Sequence, residues 1–345
     1  MGELVTGLDV GGAHLKAAQV APSGRVVSAV QVPCPLWQGL DRLELALAQA
    51  AGQLAPVRRL AVTMTGELAD LFPDRATGVW RIVEATGAAL PGAEPRVWAG
   101  RRGFVAAADA PGLALDIASA NWLASATLVA RRLGDALFVD LGSTTTDILL
   151  LAGGEVRADG ITDRERLATG ELVYTGLTRT PVMALAPEAP FAGRRVALMN
   201  ELFATTADLH RVLGWLPEDA DQHPAADGGP KTATGSARRL ARMVGTDLAD
   251  GGPADWRRLA GWLARAQLRR IEDAVALQLS RGLIPEDAPL VGAGCGRFLL
   301  EPLARGLGRP HRDFADLIEA EPGAAAWAAT CAPAVAVALL VAEAR

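Results

Sequence analysis

A chain of 345 residues, half of them hydrophobic and with a formal charge of −5, can bury a large core and is sized for one two-lobed domain or two ordinary ones. It lacks the basic field that would draw it to nucleic acid. Cys34, Cys295 and Cys331 are odd in number and far apart, so they make neither a disulfide framework nor a zinc knuckle and fit a reducing, cytoplasmic setting.

The opening MGELVTGLDVGG has no basic stretch followed by a long apolar run, so no signal peptide is expected. Residues 4–34 read as strand, glycine turn, strand, Ser-Gly turn, strand. LDRLELALAQAAGQLA has helical spacing, and RRLAVTMTGEL is a strand that ends in a polar turn. EPRVWAG and GFVAA are short strands, and DIASANWLASATLVARRLG is one helix closed by Gly134. ALFVDLGSTTTDILLLAGGEVRADG then repeats the opening pattern, a coarse internal duplication. The expected division is a lobe over residues 1–133 and a second over 134–345, with a polar insertion at about 160–250. In that insertion a short helix, an extended stretch and a basic helix precede a long helix opened by Pro253. APLVGAGCGRFLL is strand, glycine turn, helix. The apolar tail is broken by Pro333 and dominated by alanine, so it reads as a buried terminal helix and no membrane association is expected.

Three stretches carry chemistry. In GLDVGGAHLKAA an acid, Asp9, ends a strand, and Gly11 and Gly12 let backbone N–H groups approach an anion. An ordinary hairpin explains the same residues. Lys16, seven residues past Asp9 on the return strand, either reaches a phosphate or is a solvated strand lysine. In FVDLGSTTTDILLL, Gly142, Ser143, Thr144, Thr145 and Thr146 sit between Asp140 and Asp147. Turn capping accounts for one or two of these hydroxyls; a phosphate and a divalent cation account for all of them and for the acids. In LVGAGCGRFLL, Gly292, Gly294 and Gly296 precede a helix whose N-terminus would face an anion, although a tight turn needs only one or two glycines.

The order acid-Gly-Gly hairpin, acid-Gly-Ser-Thr-Thr-Thr hairpin, Gly-x-Gly-x-Gly turn resembles the two phosphate motifs and the adenosine motif of the actin, Hsp70 and sugar-kinase superfamily. That resemblance implies an α/β fold of two ribonuclease-H-like lobes around a central cleft. TMTGELADLF, SANWLASA, DGITDRERLATGELVYTGLTRTPV, ELFATTADLHRVLG and DQHPAADGGPKTATGSARRLARMVG together resemble the hydantoinase A/oxoprolinase-like proteins of the tetrahydromethanopterin-linked one-carbon pathway, and among them the synthase family of methanofuran biosynthesis. The resemblance implies a cytoplasmic transferase that couples an aminomethyl-furanmethyl diphosphate to the phenol of γ-glutamyltyramine and releases diphosphate.

On that basis Asp9, Asp140 and Asp147 are the expected catalytic acids, and Asp9 and Asp140 the expected ligands of a Mg²⁺ ion. Gly11, Gly12, Lys16, Gly142, Ser143, Thr144, Thr145, Gly292 and Gly294 are the expected phosphate contacts. Substrate contacts are expected from Thr65, Glu67 and Asn121, from Thr169, Glu171 and Tyr174, and from Lys231 and Arg238 on a solvated lid loop around His223. Asp221 and His223 could bind a metal but lack a third ligand at a suitable spacing, and His14, His210 and His311 are given no role. The expected partners are small molecules only, with the oligomeric state open. The same motifs serve an ATP-dependent small-molecule kinase or hydantoinase-type amidohydrolase, with ATP as cofactor, and a non-catalytic nucleotide sensor.

Overall fold

A computed structural model describes residues 3–344. The nearly fully buried strands β1 (Val5–Val10) and β2 (His14–Val20) form a hairpin, closed where the Gly11 N–H donates to the His14 carbonyl at 3.0 Å. β3 (Val26–Pro33) continues antiparallel, and after helix α1 (Asp41–Ala51) the chain returns parallel to β1 as β4 (Arg59–Met64). Helix α2 (Arg75–Ala89) starts at Asp74, whose carboxylate accepts the Thr77 N–H at 2.7 Å. It leads to β5 (Pro95–Trp98) and the edge strand β6 (Phe104–Ala106), giving the order β3-β2-β1-β4-β5-β6.

The single helix expected up to Gly134 is two. A short α3 (Ala114–Ile117) is separated from α4 (Asn121–Leu133) by Ser119 at φ 51°. A serine in left-handed backbone is strained. Here its hydroxyl reaches the Glu67 carboxylate at 2.7 Å and Asp163 at 3.0 Å, contacts that a continuous helix would not offer.

The duplication read in the sequence becomes a second sheet. β7 (Ala136–Leu141) and β8 (Thr146–Ala152) repeat the hairpin, and the short strands β9 (Glu155–Val156) and, after helix α5 (Asp163–Thr169), β10 (Leu172–Val173) pair with β8. A hairpin of β11 (Glu188–Phe191) and β12 (Arg194–Ala197), helices α6 (Thr206–Leu213) and α7 (Ala233–Met243), and the 27-residue α8 (Pro253–Leu279) surround a separate small core in which Phe191 stacks on Trp256. β13 (Leu290–Ala293), helix α9 (Leu300–Gly306) and β14 (His311–Asp313) complete the sheet, both strands running parallel to β7.

The tail forms α10 (Pro322–Ala328) and α11 (Ala332–Glu343), bent by 114° at the intervening turn. Among the described residues no single helix is long and apolar enough to cross a membrane. α11 packs on β1 and β2 of the first sheet, while α4 packs on β7 and β8 of the second. Each half therefore lends a helix to the other, and one apolar layer from Val5 through Trp122 and Phe138 to Leu340 joins the two sheets. Gly7 is fixed by this layer, because a Cβ on β1 there would overlap the Ala334 carbonyl of α11. The turns after β1 and β7 lie at the carboxyl ends of these strands, where open α/β sheets leave a crevice.

Candidate active site

The two hairpins share a register. Asp9 of β1 stands directly opposite Lys16 of β2, and Asp140 of β7 directly opposite Asp147 of β8. The Lys16 ammonium lies 3.7 Å from the Asp9 carboxylate, which also accepts from the Asn121 amide at 3.3 Å. Lys16 is thus no solvated lysine. Burial works against its charge, but Asp9 and Asp140 outweigh that and raise its pKa. Burial also raises Asp9, opposed by Lys16 and Asn121. Asp140 has three sources of penalty, opposed by Lys16 and, more weakly, by Arg297. Burial lifts it, Lys16 pulls it down, Asp147 and Asp9 lift it further, and it comes to about 7. Asp147 is raised by burial and opposed by Arg166, whose guanidinium bonds it at 2.7 Å. Arg166 is itself buried and lies 4.0 Å over the Trp122 ring at the start of α4.

The small-residue turns meet across the cleft. The Gly142 N–H donates to the Thr145 carbonyl at 2.9 Å, and the Ser143 hydroxyl lies 3.4 Å from the His14 Nδ1 of the first hairpin. Segment 175–180 backs this turn. The Thr178 and Arg179 N–H groups donate to the Ser143 carbonyl, and a Cβ at Gly176 would overlap the Ser143–Thr144 backbone. Thr146 is taken up internally, its hydroxyl donating to the Thr175 carbonyl at 2.7 Å. Gly142, Ser143, Thr144 and Thr145 are half-buried, and so are Gly11 and Gly12. Thr65 follows β4 beside Gly11, with its N–H on the Val10 carbonyl. Glu67 is buried behind it, one oxygen on Ser119 and the other without a partner, and burial raises its pKa.

Other expected contacts are structural. Gly294 sits at φ +83° against the Leu141 carbonyl and the Asp140 side chain, and its N–H donates to the Ala329 carbonyl; the Gly296 N–H is taken by the Leu141 carbonyl. Gly292 is an interior strand residue packed on Leu300 and His311. The bend is glycine-rich so that two backbones can touch, and a 3₁₀ turn at Arg297–Leu299 stands between it and the seven-residue α9. Gly292 and Gly294 are accordingly withdrawn as phosphate contacts. Burial pushes the Cys295 thiol up to about 11. The Glu171 carboxylate is fully engaged by the N–H groups of Asp159 and Gly160, the Thr169 hydroxyl and Arg281, so Thr169 and Glu171 tie the second lobe together and are withdrawn as substrate contacts. Tyr174 is exposed near Arg179.

The lid loop is docked, not solvated. His223 bonds the Ala13 carbonyl at 2.9 Å, Gln222 donates to the Gln31 carbonyl, and the Lys231 ammonium is held by the carbonyls of Asp221 and His223. Lys231 therefore fastens the loop, and Arg238 is exposed on α7. Asp221 pairs with Arg211. Arg166 is not legible as a site residue, because nothing local separates it from the chain's many other arginines, whereas Arg179 stands in the same polar stretch as Thr169, Glu171 and Tyr174, from which substrate contacts are expected. His14 could have been found from its place in the first hairpin.

Among the described residues no group of three or more His, Cys, Asp or Glu side chains is placed to hold a metal. Asp9 and Asp140 nonetheless fit Mg²⁺, which typically takes one or two carboxylates and completes its shell with water and substrate phosphate. Burial and the neighbouring acids lift Asp140 to about 7 against the pull of Lys16 and Arg297.

Two sheets of matching order around a shared helical layer, with paired acids and small-residue turns at the cleft, define a two-lobed α/β protein of the actin, Hsp70 and sugar-kinase fold. A family profile described as Hydantoinase/oxoprolinase matches residues 58–343. The chain belongs to that family. It is 33% identical over 245 residues to the (4-{4-[2-(gamma-L-glutamylamino)ethyl]phenoxymethyl}furan-2-yl)methanamine synthase of Methanocaldococcus jannaschii, covering 71% of this chain and 72% of that one. A protein of the same name from Methanococcus vannielii is 35% identical over 114 residues, 33% of this chain and 51% of that one. A nucleotide-free acetone carboxylase structure is similar in fold, with a TM-score of 0.56 and 10% identity over 95% of this chain and 70% of that one.

Proposed function

We propose that the protein is a transferase that joins an aminomethyl-furanmethyl diphosphate to the phenol oxygen of γ-glutamyltyramine and releases diphosphate. The synthase from Methanocaldococcus jannaschii is named for a phenoxymethyl-furan amine, which is the aryl ether such a coupling yields. The observation that carries the reading is the meeting of the Gly11–Gly12 and Gly142–Thr145 turns over buried carboxylates and one lysine. That arrangement suits a multiply charged leaving group, while the amides of Gly294 and Gly296 in the expected adenosine bend are already occupied.

The phenol O–H gives its proton to a carboxylate, its oxygen bonds the furfuryl carbon, and the carbon–oxygen bond to diphosphate breaks with its electron pair leaving on diphosphate. Electron donation from the furan ring oxygen supports partial positive charge on that carbon. Asp140, at about 7, is matched to accept the proton near neutral pH. Lys16 and the N–H groups of Gly12, Ser143 and Thr144, which unlike those of Gly11 and Gly142 are not spent within the turns, would meet the charge that develops on the leaving oxygen, the role preorganised donors play in group transfer. Mg²⁺, when bound, would supply further neutralisation of the diphosphate, held by Asp9, with Asp140 left free of the metal to take the proton.

The test is incubation with the synthetic furfuryl diphosphate and γ-glutamyltyramine, with Mg²⁺ and without ATP, read by mass spectrometry. The ether is expected with stoichiometric pyrophosphate. ATP hydrolysis with no ether from folded protein would refute the assignment.

A further inference from the structure

We infer that Arg179 and His14 form a dedicated subsite for the terminal phosphate of the diphosphate, at the mouth of the cleft where the lobes meet. The inference rests on the reading that a diphosphate binds at the two turns, and it adds Arg179 from outside both motifs and the His14 ring, to which the first motif gave no role.

Arg179 lies 4.6 Å over the Trp37 ring of the first lobe, while its own N–H donates to the Ser143 carbonyl of the second turn. It is half-buried, burial lowers its pKa, and among the described residues no carboxylate lies within ion-pair distance of its guanidinium. A partly desolvated arginine without a counter-charge is costly unless an anion completes it.

The second observation is independent. His14 is 4% exposed, and its Nε2 has no hydrogen-bond partner. With Ser143 at the Nδ1 side, the neutral ring that accepts the serine hydroxyl carries its proton on Nε2, an unspent donor. His14 and His223 lie with ring centroids 4.7 Å apart, and burial first, with Arg179 adding to it, holds the pKa of both below the usual imidazole range. The groups facing this spot are thus a guanidinium, two imidazoles and, deeper, Lys16, which also lowers His14, with Asp221 and Lys231 acting in opposite senses on the far side of His223. A diphosphate lying along the turns would place one phosphate by Gly12 and Lys16 and offer the other to Arg179 in the fork geometry that guanidinium favours. His14 and Trp37 come from the first lobe, Arg179 and His223 from the second, so this subsite is complete only when the lobes and the Asp221–His223 segment are together.

The test is calorimetric titration of inorganic pyrophosphate and of orthophosphate, each with Mg²⁺, into the wild type, Arg179→Gln, Arg179→Lys and His14→Gln, with thermal melts to establish folding. The expected result is a tenfold or greater loss of pyrophosphate affinity in Arg179→Gln, partial rescue by lysine, a smaller loss in His14→Gln, and orthophosphate binding changed much less. In turnover, Arg179→Gln should raise KM for the furfuryl diphosphate more than it lowers kcat. Pyrophosphate affinity within twofold of wild type in folded Arg179→Gln overturns the subsite while leaving the transferase reading intact if ether is still formed. Selective loss of pyrophosphate binding in a protein that makes no ether keeps the subsite and removes that reading. A wild type that binds no pyrophosphate removes both. If Arg179→Gln does not fold, His14→Gln carries the same comparison.

Discussion

Replacing Asp140 by asparagine tests the electrostatics of the acid cluster through stability and activity together. The ordinary value of 3.8 rises to about 7 in the fold, a shift of roughly three units, and each unit is worth about 1.4 kcal/mol. Between these values the folded protein keeps a proton that the unfolded chain has released. By linkage, the stability of the wild type therefore falls as pH rises from 3.8 towards 7 and is flat above. The ceiling on this penalty is about 4 kcal/mol. Removing the carboxylate also leaves Lys16 with Asp9 alone, so the net gain for Asp140→Asn at pH 8 should be about half of that, roughly 2 kcal/mol. The melting-temperature gap between variant and wild type, measured from pH 5 to pH 9, should widen up to about pH 7 and then hold constant. Turnover should fall by about two to four orders of magnitude, the usual loss when a positioned proton acceptor is removed. A gap independent of pH would show that the Asp140 carboxyl is not held above its ordinary value, and a variant with full turnover that it is not the proton acceptor.

Two glycine substitutions separate the bends. A Cβ at Gly12 meets nothing within 4 Å, so Gly12→Ala should melt within about 1 °C of wild type, consistent with the small effect of surface changes, yet raise KM for the diphosphate. Gly294→Ala, at φ +83° and against the Leu141 carbonyl, should fold poorly or melt far lower; equal melting of the two would refute the packing role given to the third bend. Arg166→Met should cost about 3–5 kcal/mol by urea unfolding because Asp147 is left buried without its partner, and adding Asp147→Asn should restore most of it. A cost that persists in the double variant would place the role of Arg166 in its contacts with Trp122 and the Glu171 carbonyl instead.

Much of the fold is legible because it is written in local repeats. Each hairpin is an apolar run, an acid, a turn of small residues and a second apolar run, and this pattern fixes strand pairing without long-range information. The seven-residue spacing that sets Lys16 opposite Asp9 is also the spacing that sets Asp147 opposite Asp140, so the acid cluster follows from sequence once the hairpins are accepted. The glycine bend at 292–296 misleads because the same spacing lets a ligand approach a backbone and lets one backbone approach another; only the position of Leu141 decides between them. Glu171 misleads for a related reason. A carboxylate among threonines looks like a binding segment, but the N–H groups of Asp159 and Gly160 that claim it are brought in by a turn of the chain. Arg166, Arg179 and His223 acquire their surroundings only in three dimensions, from Trp122, Trp37 and Ala13 respectively.

The exchange of helices gives the acid cluster a mechanical position. α4 lies on the second sheet, yet its first residue, Asn121, bonds Asp9 of the first, and its second, Trp122, lies under the arginine that holds Asp147. On the opposite rim, His223 bonds Ala13 and Arg179 covers Trp37. A change in the angle between lobes cannot leave both rims intact. Opening at the rim breaks the His223 and Arg179 contacts, while the apolar layer of α4 and α11 keeps the base of the cleft closed. The acids, with Lys16 and Arg166 paired to them, therefore lie beside the layer that joins the sheets, whereas Arg179 and His223 lie where the two lobes touch across the turns.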